Sequence, residues 1–282
     1  MKLFLNSLFV GLVSFVWSAV YYLDIYPAEL YTKPFVYRVL VPLLASIVDL
    51  FGVSFNLSVV LVMTVSGIGF YLALRKLYFY YYAQSTKGEI YVLVSVVAGL
   101  LLFEYYRKPY DLSTAFLMTL GLYYILTVQN WKYLIVFTLA CLNRETAFLL
   151  ILVYVVFWLY YRKYTLLFKS FWWMTACQIY VYGLITYCLR LAFQYNPGSS
   201  LWVEPWQNLV RYANHPVQTI IYATIIAIIL LRVFRNWNIK PFSLRLAFVV
   251  VYPVVFLSFL VCGQSFETRT LWEMFPLVVM LM

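Results

Sequence analysis

Polar residues in this chain come in short clusters, and the stretches between them are apolar on every side rather than on one face. Runs at or near membrane-spanning length lie at about 3–23, 55–74, 90–104, 112–128, 146–161, 171–193, 217–234 and 246–262, with two shorter ones at 133–142 and 271–282. A helix needs about 20 apolar residues to cross a hydrocarbon core, and the absence of long apolar/polar alternation argues against barrel strands. The pattern therefore predicts an all-α polytopic transmembrane helical bundle of about ten spans, forming one integral membrane domain over 1–282. The run at 35–52 is interrupted by Arg38, Pro42 and Asp49, and is expected to lie in the interface or re-enter rather than cross. The longest polar stretch, 194–216, combines Asn196-Pro197-Gly198 turn chemistry with Trp202, Trp206 and Tyr212, and is expected to be the longest external loop and a candidate lid. The first run ends in aromatics without a small-residue cleavage site, so it reads as an uncleaved first span rather than a signal peptide.

Composition narrows this picture. The chain is 65% hydrophobic, 21% aromatic and 11% charged, against about 25% charged in an ordinary soluble domain, which excludes both a soluble protein and intrinsic disorder. Four cysteines sit in apolar runs without CxxC spacing and His215 is the single histidine. A disulfide framework, a zinc site or a Ser-His triad is thus unsupported, and His215 before Pro216 reads as a capping or surface residue. No metal site is expected, with a divalent cation among the outer acids left open.

A net charge of +10 would suggest nucleic acid for a soluble protein, but in a polytopic one it follows from basic residues gathering in cytoplasmic loops. If 35–52 does not cross and every other run crosses once, the inner loops receive twelve of the twenty basic residues: Lys2, Arg75, Lys76, Lys87, Lys132, Arg162, Lys163, Lys169, Arg232, Arg235, Lys240 and Arg245. Glu89 is then the single acid inside, and the other nine face outward. Both termini are cytoplasmic in this arrangement, in the inner membrane if the source is bacterial, and no nucleic-acid partner is expected.

Charged groups inside apolar segments cost about 2.5–3.5 kcal/mol each at the membrane centre, so they persist where they are paired, hydrated or useful. Here they gather at outer helix ends. Asp24 closes the first span, and Arg38 opens the interfacial segment. Glu104, Arg107, Lys108 and Asp111 surround Pro109 in one turn; a solvated loop or an ion pair between helices is as good a reading of that turn as a site. Asn143, Arg144 and Glu145 break an apolar stretch with no Gly or Pro to make a turn, which favours a broken helix lining a polar cavity. Glu267, Arg269 and Glu273 open the last run, with Arg269 and Glu273 one helical turn apart on the same face. Carboxylates there would orient or deprotonate a hydroxyl, and the cations would hold a phosphate.

The order of features resembles the GT-C class of polytopic glycosyltransferases: a first span ending in Tyr21-Tyr22-Leu23-Asp24, an interfacial Pro34-Phe35-Val36-Tyr37-Arg38 segment, then many short-looped spans. Leu142-Asn143-Arg144-Glu145-Thr146 and Glu267-Thr268-Arg269 with Glu273 and Pro276 are similar to motifs of small bacterial members. The resemblance implies transfer of a hexose or pentose from a polyprenyl-phosphate donor to an acceptor on the extracytoplasmic face, as part of the cell envelope. It implies Asp24 as catalytic base, with Arg38, Arg144 and Arg269 on the lipid phosphate and no cofactor. Glu104 and Asp111 stand as further catalytic carboxylates; Arg107, Lys108, Asn143, Glu145, Glu267 and Glu273 stand as substrate-binding groups. A multi-pass transporter or lipid flippase and a non-catalytic assembly protein remain as alternatives, the last requiring that the charges pair off and the three polar segments not converge.

Overall fold

The structure, a computed structural model, describes residues 2–22, 37–102, 110–161, 168–197, 205–261 and 273–282. Among these there are no strands. Twelve α-helices follow one another: α1 (Lys2–Tyr22), α2 (Leu40–Asp49), α3 (Phe55–Tyr81), α4 (Thr86–Leu102), α5 (Asp111–Leu126), α6 (Asn130–Asn143), α7 (Phe148–Tyr161), α8 (Phe168–Ala192), α9 (Pro205–Asn214), α10 (Pro216–Phe234), α11 (Phe242–Val261) and α12 (Phe275–Leu281). By length and apolarity, α3 and α10 are able to cross a membrane. They differ in setting: 56% of the apolar stretch of α3 is buried in the bundle, against 6% for α10.

α3 is central because its small residues admit close neighbours. It packs against α1, α2, α4 and α5, and Gly67 lies so close to α1 that a Cβ there would come within 2.8 Å of Ser14 Cβ and press on Ser14 Oγ. Since Ser14 Cβ is fixed to the α1 backbone, α1 and α3 would have to separate. Gly67→Val is therefore expected to destabilise the protein by about 1–3 kcal/mol, read as a lower midpoint of thermal unfolding in detergent, whereas Gly183→Ala, at a position with nothing within 4 Å, should leave the midpoint unchanged.

Cross-helix hydrogen bonds fix the directions. Asn6 donates to Tyr71 Oη (3.2 Å), making α1 and α3 antiparallel, and Tyr80 Oη donates to the Leu126 carbonyl (3.3 Å), making α3 and α5 parallel. α12 descends beside α4, where Tyr91 Oη donates to the Val279 carbonyl (2.6 Å). One end of the bundle thus gathers the start of α5, the end of α6 and the start of α12. The other gathers the end of α3, the start of α4, the α10–α11 turn and the end of α12. At this second end Arg75 Nε donates to Glu89 Oε1 (2.8 Å). Lys240 Nζ donates to the carbonyls of Arg232 (3.0 Å), Val233 (2.6 Å) and Leu281, tying the C-terminal ends of α10 and α12 together as a cation does best. Burial of that ammonium lowers its pKa.

Two expectations change on folding and one does not. Within 35–52, α2 has 10 residues, about 15 Å, half the thickness of a hydrocarbon core and too short to cross, as expected of that stretch. The 194–216 stretch contains a helix, α9, whose apolar and polar residues alternate at helical spacing. The break at Asn143-Arg144-Glu145 reverses the chain instead of interrupting one long helix. Arg144 is extended, Glu145–Ala147 form a 3-10 turn, and Tyr133 of α6 stacks on Tyr154 of α7 with centroids 5.3 Å apart. That stack is reachable only if α7 returns alongside α6.

Candidate functional site

The reversal is made without glycine because Asn143 stitches the end of α6 to the start of α5. Its amide nitrogen donates to the Tyr110 carbonyl (3.2 Å) and to Thr114 Oγ1 (2.8 Å), and its oxygen accepts from Ser113 Oγ (2.6 Å). Tyr110, Ser113 and Thr114 fall on one face of the first turn of α5, at the spacing of neighbours along a helix. All four side chains are buried, so these bonds form away from competing water.

Arg144, the next residue, is thereby aimed inward. Its Nη1 lies 3.0 Å from Glu273 Oε1 at the start of α12 and 3.7 Å from Asp111 Oδ1 at the start of α5. The three side chains are 6%, 1% and 1% exposed. Thr146 Oγ1 donates to the same Glu273 oxygen (2.9 Å). Arg144 Nε and Glu273 Oε2 are buried with no hydrogen-bond partner among the described residues. A cavity of about 10 Å³ lies against the cluster, lined by Thr114, Asn143, Arg144 and Thr146 together with Leu117, Met118, Ala140 and Ala147. That is room for about one water.

A second pair lies further out. Arg38, just before α2, donates from Nε to Glu145 Oε2 (3.3 Å), and its guanidinium sits 4.3 Å from the centroid of the Tyr110 ring. Glu145 is 39% exposed, which makes it the carboxylate of the described cluster that solvent reaches, and its carbonyl accepts from Tyr182 Oη of α8 (3.1 Å).

Six residues singled out from sequence, Arg38, Asp111, Asn143, Arg144, Glu145 and Glu273, are thus brought into one polar cluster from four separate segments. Asp24, Glu104, Arg107, Lys108, Glu267 and Arg269 lie outside the described residues. Sequence reasoning missed Tyr110, Ser113, Thr114, Thr146 and Tyr182. The first three carried a signal, since they follow Pro109 on one helical face beside Asp111; the tyrosine of α8 carried none. Among the described residues no group of three or more His, Cys, Asp or Glu side chains is arranged to hold a metal ion.

The arrangement separates two jobs. The inner triad, with two carboxylates on one guanidinium, locks the starts of α5 and α12 to the α6–α7 reversal. The outer pair opens one carboxylate, Glu145, to solvent and backs it with the Arg38 guanidinium, 10% exposed, which lies over the buried Tyr110 ring. Comparison with protein-family models, with curated proteins and with solved structures gives no match.

Proposed function

We propose that this chain is an integral membrane glycosyltransferase of the GT-C type, moving a sugar from a polyprenyl-phosphate donor to an acceptor on the outer face. The observation that carries the reading is the convergence of Arg38, Asp111, Arg144, Glu145 and Glu273 at one end of the bundle. A transferase of this kind needs cations for the departing lipid phosphate and a carboxylate for the acceptor hydroxyl in one place. In this reading Asp24 is the general base, and Arg38, Arg107, Lys108 and Arg269 hold the phosphate. Glu145 and Glu267 orient the acceptor, and Asn143, Arg144, Asp111 and Glu273 position the helix ends around them. A phosphate reaching Arg144 would have to displace a buried carboxylate, so its part is positioning. The test is sugar transfer by purified protein in nanodiscs across a panel of polyprenyl-phosphate donors. Transfer supports the reading; its absence together with transport or lipid scrambling would replace it with the transporter.

The closed inner triad meets one of the two requirements of a second reading, a non-catalytic assembly protein whose paired charges hold helices together, while the convergence of the 111, 143–145 and 273 segments goes against the other. It separates from the first by the outer pair: a scaffold tolerates Arg38→Gln with Glu145→Gln, and a transferase does not.

The topology proposed with this function has nine crossings, α2 and α9 lying in the interface and α12, seven residues long, entering from the outer side, with the N-terminus in the cytoplasm. Reporter fusions at Lys87, Lys163 and Lys240 are expected to read cytoplasmic, and fusions at Pro109 and Gly198 external. Opposite results at 163 and 198 would move the site to the other compartment.

A further inference from the structure

At the end of the bundle away from the polar cluster, the turn between α10 and α11 is built differently from its surroundings. α10 ends at Phe234, Arg235 is extended, Asn236 takes a left-handed conformation (φ 56°) that turns the chain sharply, and a 3-10 turn, Trp237–Ile239, leads into α11. The turn carries Arg232, Arg235, Lys240 and Arg245, but these cations do not share one fate. All three protons of the Lys240 ammonium have carbonyl acceptors to meet, at Arg232, Val233 and Leu281. None of the three arginines has a described carboxylate within ion-pair distance. Glu89, the described acid at this end, is taken by Arg75.

Arg245 is the most telling. Its guanidinium lies 5.8 Å from the Trp237 ring and 5.3 Å from the Phe242 ring, and its Nε is buried with no hydrogen-bond partner among the described residues. Trp237 in turn packs on Phe234, centroids 5.0 Å apart, which joins the last turn of α10 to the first turn of α11. On the same turn Leu231, Phe234 and Ile239 are exposed, the last 83% exposed, and Phe234 packs on the Trp237 ring that Arg245 approaches. Apolar side chains of that size beside unpaired arginines match a ligand with an anionic head and an apolar body.

We propose that the α10–α11 turn binds the phosphodiester headgroup of an anionic phospholipid, with Arg232, Arg235 and Arg245 on its oxygens and Leu231, Phe234 and Ile239 among its acyl chains. The planar fork of arginine suits the two free oxygens of a phosphodiester, and the cation–π contacts of Arg245 with Trp237 and Phe242 hold one fork without a protein acceptor. A free phosphate would satisfy the arginines but leave the apolar side chains in water. The site rests on the membrane embedding proposed above and is independent of any transferase chemistry.

The test reconstitutes the full chain in nanodiscs of phosphatidylcholine with a minor fraction of phosphatidylglycerol and counts lipids retained by the ejected protein in native mass spectrometry. Wild type is expected to retain phosphatidylglycerol, and each of Arg232→Gln, Arg235→Gln and Arg245→Gln to lower retention about fivefold. The matched triple variant Lys76→Gln/Lys87→Gln/Lys132→Gln, which removes the same charge from the same end, should retain it as wild type does. The triple variant Arg232→Gln/Arg235→Gln/Arg245→Gln is expected to lose the preference altogether; retention in it equal to wild type, equal loss in the lysine triple variant, or displacement of the lipid by inorganic phosphate would each overturn the proposal. Release of the chain from membranes by alkaline carbonate would overturn it together with the membrane reading, whereas stable reconstitution without lipid preference would overturn the site alone.

Discussion

Arg144→Ala is expected to lower stability by about 3–5 kcal/mol, enough to prevent accumulation of folded protein in the membrane. The reason is what the substitution leaves behind: Asp111 and Glu273, both 1% exposed, would face each other without the guanidinium between them. Arg144→Lys should recover part of the loss, since the ammonium restores the positive charge but its shorter stem does not bring it to the point between the two carboxylates that Arg144 Nη1 occupies. Removing every charge at once, Arg144→Met with Asp111→Asn and Glu273→Gln, should recover most of it, because an uncharged network owes no desolvation of ions. Detergent-solubilised protein followed by size exclusion and thermal unfolding reads all three. Normal accumulation and unfolding of Arg144→Ala would mean that the triad does not hold the helix ends, and loss of activity in such a protein would return Arg144 to substrate contact.

Asp24→Asn is expected to slow sugar transfer by about 10²–10⁴-fold with donor binding largely kept, because the amide keeps the shape of the carboxylate and loses its basicity. Asp24 and Glu104 lie outside the described residues, so the comparison that matters includes a carboxylate whose setting is described. Glu145 is 39% exposed and within 3.3 Å of Arg38, and Glu145→Gln therefore competes directly with Asp24→Asn and Glu104→Gln. Full activity in Asp24→Asn with loss in Glu145→Gln would place the base at the α6–α7 reversal. Loss in Glu104→Gln alone would place it in the 104–111 segment. Asp111, buried against Arg144, is the least suited of the candidates to meet an acceptor, and Asp111→Asn is expected to change stability before it changes rate.

How much of this was legible beforehand follows from what residue order encodes. Helical class, and the positions of most helices to within a few residues, are written in the apolar runs, because an uninterrupted apolar stretch has few ways to satisfy its backbone except within itself. The polar clusters at 38, 111, 143–145 and 273 were also visible, since charges are conspicuous where the surroundings exclude them. Their partners were not. Thr146 and Glu273 are 127 residues apart, and nothing along the chain says which helix end meets which; that is decided by packing, with Gly67 and Ser14 bringing α1 onto α3 and Asn143 fastening α6 to α5. The same holds for faces. Val233 is buried while Ile220 and Ile228 in the same helix are exposed, and residue type cannot separate them because a helix apolar on every side carries no moment to mark its inner face. The reversal at Arg144 is the sharpest case. Three polar residues predict a break, but a continuous broken helix and a tight hairpin share that local sequence. Only the bonds from Asn143 to Tyr110, Ser113 and Thr114, made once α5 is in place, select the hairpin.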